Sequence, residues 1–453
     1  MMVYFKKMIT SLALVGMLCL PTASLFAQMQ GEVLNLNLEQ ALDIAVSKNP
    51  TIQVAGQEIE LKKAQRREAI GGLIPEVSLQ GSYSRAIKKQ KMAMEFGGES
   101  TTIEVGRDNT YNGGLVINFP IFAPALYKSI NMSKADLELA VEKARASEID
   151  LINEVTKAYY QVLLTQDSYE VLLKSYNQAK ANFDVVEAKY KQGSVSEYDK
   201  IRAEVQVRNI KPSVVSAKNG VNLAKLQLKV LMGISSEYDV AITDNLSHYE
   251  ATMYGEILDR SAFDLSNNSD LMQLDLNTKI LSENVKLQRT NYLPQLSASF
   301  NYTYLSMNDD FRIAHYRWYP SSSIAVNLSI PLFKASSYAK SKQAKVQLQQ
   351  MAYTRTDIER KVDMQVQSYL DNMSASSEQV MSNKEGILQA QKGRDIAQKR
   401  YEVGKGTILE LNDSEVALTE ASLTYNQSIY DYLIAKAELD KVLGINKSTI
   451  KNK

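Results

Sequence analysis

Cysteine and histidine are nearly absent from this sequence of 453 residues. The one cysteine, Cys19, lies within the first 27 residues, and the two histidines, His248 and His315, are isolated. Beyond that first segment the chain therefore has no residue for a disulfide or a thiolate metal site. No spacing of serine, histidine and aspartate suggests a catalytic constellation. We expect no enzyme, no metal site and no cofactor.

An excess of charge of one sign and long apolar runs are lacking as well. Lysine and arginine number 52 against 51 aspartate and glutamate, so the net charge is +1. A nucleic-acid partner would need a basic face, and none is indicated. Beyond the first segment no stretch reaches the roughly 18 apolar residues of a membrane-spanning helix. The sequence predicts no such helix there.

Residues 1–27 predict a secretory signal. Two lysines precede an apolar core, Met8–Leu20, and Ala27 is a small residue after which cleavage is expected. A membrane anchor is the alternative, but the core is shorter than the roughly 20 residues of a span. A lipid anchor on Cys19 is disfavoured, because Leu18 stands where a small residue is normally required. We therefore expect an exported protein.

Two very long helices are the main feature of the sequence. The first, residues 127–192, contains neither proline nor glycine. Its apolar residues recur in steps of three and four, a mean period of about 3.5 that is typical of left-handed coiled-coil packing. At about 1.5 Å per residue this helix would be on the order of 100 Å long. A similar stretch, residues 336–403, follows in the second half of the chain.

The sequence contains the same order of elements twice, as an internal repeat. The matching motifs are Leu73–Leu79 with Tyr292–Ala298, Phe119–Phe122 with Ile330–Phe333, Tyr190–Gly193 with Tyr401–Gly404, and Leu231–Ile234 with Val442–Ile445. The repeat predicts a domain organisation with five parts: a signal segment 1–27, a first repeat 28–234, a linker 235–256, a second repeat 257–446 and a polar tail 447–453.

Each predicted repeat begins with an amphipathic helix. In the first repeat this helix opens at Asn37, a good N-cap with glutamine three residues on, and one helix is expected from there to Gly71–Gly72. After two strands, a long helix ends at Gly193 or Gly404 and a second long helix returns. Pro212 lies in the first return helix, where we expect a local kink and not a break.

Four segments change to the alternating period of a strand. In each, apolar residues alternate with small or polar residues, and the loops at 86–112 and 305–319 are polar. The apolar positions run through Val77–Tyr83, Leu115–Phe119, Leu296–Tyr304 and Ile324–Ile330. Aromatic residues at the strand ends are candidates for the membrane interface: Tyr83, Tyr111, Tyr304, Tyr316, Trp318 and Tyr319.

These strands favour an outer-membrane β-barrel, although packing of the strands on the helices is an alternative. Only a closed barrel pairs every backbone group in lipid, and the smallest barrels have about eight strands. Four strands per chain cannot close alone, whereas three copies would supply about twelve. The predicted fold is mainly α with a small β part. Long coiled-coil helices would form a periplasmic α-barrel below a trimeric transmembrane β-barrel.

In their order and spacing these motifs resemble the TolC-type outer-membrane efflux channels. The likeness rests on Leu38–Leu42 through Asn49–Pro50, the Leu-Pro strand entries, the Pro-Ile-Phe and Pro-Leu-Phe strand exits, Tyr-x-x-Gly at both ends of the long helices, and the final Leu-Gly-Ile. It covers essentially the whole chain beyond the signal segment. Each motif alone is weak, but their order and duplication are specific.

The resemblance implies a homotrimer in the cell outer membrane, in contact with outer-membrane lipid. The long helices would form a periplasmic tunnel, and an inner-membrane transporter of RND, ABC or MFS type would complete a tripartite pump. A periplasmic adaptor protein would dock beside the tips of the long helices, at Gly193, Ser194, Gly404 and Lys405.

The resemblance also implies a periplasmic gate closed by acidic side chains. Its positions match Glu410 and Asp413, and a further acidic position matches Asp199, whereas Gly406 replaces the arginine that latches the gate. For Glu410 a capping box that starts at Thr407 is the simpler explanation. Asp413 lies one turn further along and no cap needs it. Acids from three copies near one axis would form a cation-selective constriction.

The expected function is a passive exit duct for drugs or other small molecules. The outer-membrane duct of a type I protein secretion system is a close alternative, which the sequence does not separate from a drug duct. A hypothesis of another class is a soluble periplasmic coiled-coil scaffold or adaptor. That hypothesis explains the long helices but leaves the four strands unexplained.

Overall fold

A computed structural model describes residues 33–96, 99–253, 260 and 263–445. The predicted signal segment with Cys19 and the predicted tail 447–453 lie outside the described residues, as does part of the predicted linker. Within the described ranges the chain forms eight α-helices and eight β-strands. No helix in this part of the chain is both long and apolar enough to cross a bilayer.

The helices and strands follow each other in the order that the internal repeat predicts. The helices are α1 Leu38–Lys48, α2 Pro50–Gly71, α3 Pro124–Lys191, α4 Glu197–Leu231, α5 Ser247–Met253, α6 Ser269–Arg289, α7 Ala335–Glu402 and α8 Ile408–Val442. The strands are β1 Val33–Leu36, β2 Glu76–Arg85, β3 Gln90–Phe96, β4 Glu99–Val105, β5 Asn109–Phe122, β6 Asp239–Ile242, β7 Gln295–Asn308 and β8 Tyr319–Ser329.

The long helices have equal lengths in the two halves of the chain. Both α3 and α7 contain 68 residues, and both α4 and α8 contain 35. The predicted spans 127–192 and 336–403 are therefore correct to within a few residues. Pro212 lies inside α4 without ending it. The predicted absence of a break is confirmed.

The expectation of one helix from Asn37 to Gly71–Gly72 is wrong. The capping box is present, since the Asn37 side chain accepts from the Gln40 N–H at 2.9 Å and the Gln40 side chain accepts in return at 3.1 Å. However, α1 ends at Lys48 and α2 starts at Pro50. Asn49 has φ −64° and ψ 127°, because the proline ring that follows disfavours the helical conformation.

An asparagine at the start of each half holds the end of that half's return helix. The Asn49 amide donates to the Leu231 carbonyl at 2.7 Å, and the Asn268 amide donates to the Val442 carbonyl at 2.7 Å. Both asparagines are buried. The amides satisfy carbonyls that have no partner within their own helices. The repeat is thus preserved down to single hydrogen bonds.

The described residues form two compact units. One is drawn from the described residues within Met1–Pro50, Asp150–Ala262 and Tyr369–Asp440. The other is drawn from Thr51–Ile149, Phe263–Ser368 and Lys441–Lys453, and it contains the largest sheet of the described part. Each unit combines residues of both predicted repeats. The division into units therefore does not test the repeat boundaries, which stay a prediction.

The largest sheet has four antiparallel strands in the order β2-β5-β7-β8. Its register aligns the apolar positions of all four strands, since Val77 pairs with Ile117, Ile117 with Phe300, and Phe300 with Ile324. The opposite face of the sheet carries small or polar side chains. The four strands predicted from the alternating period therefore form one sheet with one apolar face.

The apolar face of this sheet is exposed in the single chain. Leu79 is 84% exposed and Ile324 is 77% exposed, and every residue of β8 is exposed. The alternative in which the strands bury their apolar face on helices of the same chain is therefore wrong. Strands β2 and β8 are the two edges of the sheet.

Two further strand pairs were not predicted. β3 and β4 form a hairpin inside the connection 86–112, which the sequence analysis treats as a polar loop. Alternating apolar residues, Met92, Met94 and then Ile103 and Val105, gave a short strand signal there. β1 and β6 form a parallel pair of four residues each. Such short strands are hard to recognise because their pairing partner is far along the chain.

We predict that Gly114→Ala destabilises the sheet. A Cβ at Gly114 would lie 2.2 Å from the Tyr302 carbonyl oxygen and 2.5 Å from the Thr303 Cα, so β5 and β7 would have to separate. We expect a loss of about 1–3 kcal/mol, seen as a lower thermal midpoint of the detergent-purified protein. Gly113→Ala is the matched control, because its nearest neighbour is the Gln80 carbonyl oxygen at 3.8 Å. Equal midpoints for the two variants would contradict the prediction.

Candidate functional site

The tips of the long helices have the same turn in both halves. Gly193 and Gly404 both have φ +71°, a left-handed conformation that favours glycine. The Ser194 N–H donates to the Lys189 carbonyl, and the Lys405 N–H donates to the Arg400 carbonyl, both at 2.8 Å. These bonds satisfy the last carbonyls of α3 and α7. The predicted docking residues thus occupy two equivalent turns.

A small apolar core lies directly behind the two turns. Its buried members come from α3, α4 and α8, and partly buried residues, two of them on α7, pack around them. The core therefore fixes the α3–α4 tip against the α7–α8 tip. Its buried residues are Val186, Ala203, Ile408 and Leu411, and the surrounding residues are Phe183, Val195, Ala397 and Tyr401.

Two of the three predicted gate acids are capping residues. The Asp199 carboxylate accepts from the Ser196 N–H at 3.3 Å and from the Ser196 hydroxyl at 2.8 Å. The Glu410 carboxylate accepts from the Thr407 N–H at 3.4 Å, and the Thr407 hydroxyl accepts from the Glu410 N–H at 3.2 Å. Both acids sit at the third position of a return helix. This geometry supports the capping explanation for both.

Asp413 differs from these two acids. It lies one turn further along α8 and its side chain is exposed. Within the described residues no hydrogen bond or ion pair involves its carboxylate. Of the three predicted gate acids, Asp413 is thus the one that the fold of the single chain does not use.

The cation beside Glu410 is Arg400, which the sequence analysis did not single out. Its guanidinium lies 3.6 Å from the Glu410 carboxylate and donates to the Lys405 carbonyl at 3.2 Å. A Cβ at Gly406 would lie 3.0 Å from the Arg400 Cβ and 3.1 Å from the Tyr401 nitrogen. The turn therefore leaves little room for a longer side chain at Gly406.

Tyr401 packs into the tip core, and it also lies close to two charges. Burial raises the pKa of its hydroxyl, and the negative charge of Asp199 raises it further. The Lys189 ammonium lies 4.8 Å from the centre of its ring, within the range of a cation–π contact. Tyr190 in the first half has the Lys200 ammonium at 5.3 Å from its ring.

An ion pair between α7 and α8 is a second feature that the sequence analysis missed. The Arg394 Nε donates to the Glu415 carboxylate at 2.8 Å, and Glu415 is buried. Burial by itself lowers the pKa of Arg394, but the hydrogen bonds and negative charges of Glu415 and Asp395 together outweigh it, so the pKa is raised. No local motif marks the pair, because its members lie on opposite sides of the Gly404 turn.

Four of the six predicted interface aromatics form one cluster at the loop end of the sheet. The centre of the Tyr111 ring lies 4.8 Å from Tyr83, 5.3 Å from Tyr316 and 6.5 Å from Trp318. Tyr304 instead lies beside Tyr302, with the two hydroxyls 3.1 Å apart. The sixth, Tyr319, is the exposed first residue of β8.

The geometry combines an exposed apolar sheet with long, polar helices. The family model described as outer membrane efflux protein matches residues 41–234 and 264–445. The chain belongs to the outer membrane efflux protein family. The resemblance noted from the sequence motifs is confirmed. The two matched segments follow the internal repeat.

Individual relatives agree with this family membership. The outer membrane protein TolC of Vibrio cholerae is 24% identical over 338 residues, which cover 71% of this chain and 75% of that protein. The probable efflux pump outer membrane protein TtgC of Pseudomonas putida is 24% identical over 429 residues, covering 90% and 82%. The CmeC outer membrane channel of Campylobacter jejuni shares the fold, with a TM-score of 0.72 at 18% identity over 92% of this chain and 88% of that one.

For this member of the outer membrane efflux protein family, the comparisons give a location and a general role. It is an efflux duct of the outer membrane, with a helical extension into the periplasm. The family consists of channels, which is a transport role and not an enzymatic one. The predicted class and location are confirmed.

We predict that breaking the Arg394–Glu415 pair destabilises the helical tip. Glu415→Gln would leave a partly buried guanidinium without its charged partner, at a cost of about 1–3 kcal/mol. The double variant Arg394→Met with Glu415→Leu should recover most of the loss, because no buried charge remains. Thermal midpoints of the detergent-purified variants test both expectations.

Asp395→Asn is the matched control for this prediction. Asp395 also contacts the Arg394 guanidinium, at 3.1 Å, but half of its side chain is exposed. An exposed pair contributes little, so its loss should cost less than about 1 kcal/mol. If Asp395→Asn destabilised the protein as much as Glu415→Gln, burial of the pair would not be the cause.

Proposed function

We propose that three copies of the chain close into one twelve-stranded barrel that serves as a passive exit duct. The observation that carries this proposal is the sheet β2-β5-β7-β8, which has an exposed apolar face and two unpaired edges. In lipid, each unpaired backbone group costs several kcal/mol, so the edges need strands from other copies. The strand directions alternate, so β8 of one copy can pair antiparallel with β2 of the next.

The cargo proposed for this duct is drugs or other small molecules. The name of the Pseudomonas putida relative, an efflux pump protein, supports this class. A duct for a type I protein secretion system has the same architecture and remains the second candidate. The soluble scaffold hypothesis does not account for the family membership or for the exposed sheet face.

A periplasmic adaptor is the proposed partner at the helical tips, where it would contact Gly193, Ser194, Gly404 and Lys405. An open groove between α3 and α4 supports this surface. It is lined by Tyr176 and Phe183 on α3 and by Val207, Pro212 and Val215 on α4. Such a groove suits a partner helix with an apolar stripe. An inner-membrane transporter of RND, ABC or MFS type would supply the energy.

Asp413 is the proposed acidic lining of the periplasmic gate, with Glu410 and Asp199 as secondary members. Its exposed carboxylate is free of the capping bonds that hold the other two. Three copies around one axis would bring three such carboxylates together. Crowded negative charges attract cations.

The experiment that tests the duct is planar-bilayer conductance of the purified protein, with its oligomer mass measured in the same detergent. We expect a trimer that gives small, cation-selective currents. A monomer that does not insert would contradict the closed barrel. It would favour a chain whose sheet is covered by another protein.

We predict that Asp413→Asn lowers the cation selectivity of the channel, because it removes charge near the axis. The reversal potential in a salt gradient should move toward zero, and Asp413→Asn with Glu410→Gln should move it further. Glu237→Gln is the matched control, since it removes an equally exposed carboxylate from the connection between α4 and β6. Unchanged selectivity in the double variant would remove the acidic gate from the proposal.

A further inference from the structure

The loop end of the sheet combines aromatic and cationic side chains. Tyr83, on the apolar face, stacks with Tyr111, and the connection from β7 to β8 adds Tyr316 and Trp318 to this cluster. Tyr316 is buried, and its hydroxyl donates to the Asp310 carbonyl. The connection is therefore folded back onto the apolar face.

Three arginines border this aromatic cluster. Arg85 follows Tyr83 by two residues on the same face, and its guanidinium lies 5.4 Å from the centre of the Phe311 ring. Arg312 follows Phe311, and Arg317 stands between Tyr316 and Trp318 in the sequence. All three arginines are exposed.

The neighbouring acids do not neutralise these arginines. Asp309 accepts from the Asp108 N–H at 2.9 Å, from Arg107 at 2.6 Å and from Lys89 at 3.1 Å. These donors hold the pKa of Asp309 well below its usual range. Asp108 also pairs with Lys89, at 3.0 Å.

Asp310 is the remaining acid in this connection. It accepts from the Arg312 backbone N–H at 3.3 Å. Within the described residues no carboxylate forms an ion pair with Arg85, Arg312 or Arg317. The three arginines thus outnumber Asp310, so this end of the sheet carries an excess of positive charge.

The order of elements places these arginines at the outer side of the membrane. β2 and β7 begin directly after α2 and the α6 segment, and β5 and β8 lead directly into α3 and α7. All helix connections thus leave one end of the sheet, and the aromatic cluster lies at the other end. Because the helices extend into the periplasm, the cluster end faces the outer leaflet.

We propose that Arg85, Arg312 and Arg317 bind the phosphate groups of a phosphorylated glycolipid of the outer leaflet. Arginine presents a planar fork of donors that matches phosphate oxygens, and it is fully charged at any physiological pH. The adjoining tyrosines and the tryptophan provide the amphipathic surface that suits the boundary between acyl chains and sugars. The proposal rests on the proposed outer-membrane barrel and adds a lipid ligand to it.

The test is native mass spectrometry of the full chain, purified in detergent and titrated with diphosphorylated lipid A. The triple variant Arg85→Gln, Arg312→Gln and Arg317→Gln should bind this lipid about tenfold more weakly than the natural protein. The matched control is Lys211→Gln, Lys218→Gln and Lys392→Gln, which removes three exposed cations from the helices. The control should bind as the natural protein does.

Two further probes separate a lipid site from a site for any anion. Dephosphorylated lipid A should bind weakly to the natural protein. Its affinity should match that of diphosphorylated lipid A for the arginine variant. Inorganic phosphate at the same concentration should not displace the lipid. Displacement by phosphate would overturn the lipid assignment in favour of a free-anion site. Equal binding by the arginine variant and the lysine control would overturn the site altogether.

Conductance in phosphatidylcholine bilayers tests the proposed duct independently of the proposed lipid-binding site. The arginine variant should conduct as the natural protein does, because the three residues lie at the loop end of the sheet, far along the chain from the proposed gate at the helical tips. If the natural protein itself did not conduct, the duct would fail, while the lipid titration in detergent would still decide the binding site.

Discussion

The backbone groups along the edges of the sheet β2-β5-β7-β8 constrain the rest of the molecule. A four-stranded sheet with an exposed apolar face is unstable in water, and one with open edges is unstable in lipid. The proposed association of copies through β2 and β8 would pair the edges, and lipid would then cover the apolar face. The helices then have to leave from one end of the sheet, because any polar helix on its apolar face would prevent contact with lipid.

The long helices satisfy a different constraint, which is continuity over 68 residues. α3 contains no glycine, and its one proline, Pro124, is the first residue of the helix. At that position the missing backbone N–H costs nothing. The turns at Gly193 and Gly404 then reverse the chain with the same hydrogen bonds. Asn49 and Asn268 close each half by holding the carboxyl end of its return helix. The two halves thus share the same local hydrogen bonds, and their long helices have equal lengths.

Much of this could be predicted from the sequence because the signals are periodic and repeated. The long helices, the four strands of the main sheet and the capping boxes all follow from spacing within one segment. The break at Asn49–Pro50 also has a local signal, because the residue before a proline is disfavoured in a helix. The Arg394–Glu415 pair and the aromatic cluster around Tyr111 join residues far apart in the chain. No local pattern could reveal them.

The proposed gate acids show how a structural and a functional role can compete for the same carboxylate. An acid at the third position of a helix stabilises that helix in any protein, so Glu410 and Asp199 are explained without a pore. Asp413 gains nothing comparable from the fold, because its exposed carboxylate forms no bond in the described part of the chain. The proposed gate would give this charge a role that the single chain does not. Asp413 therefore supports the proposed gate more than its neighbours do.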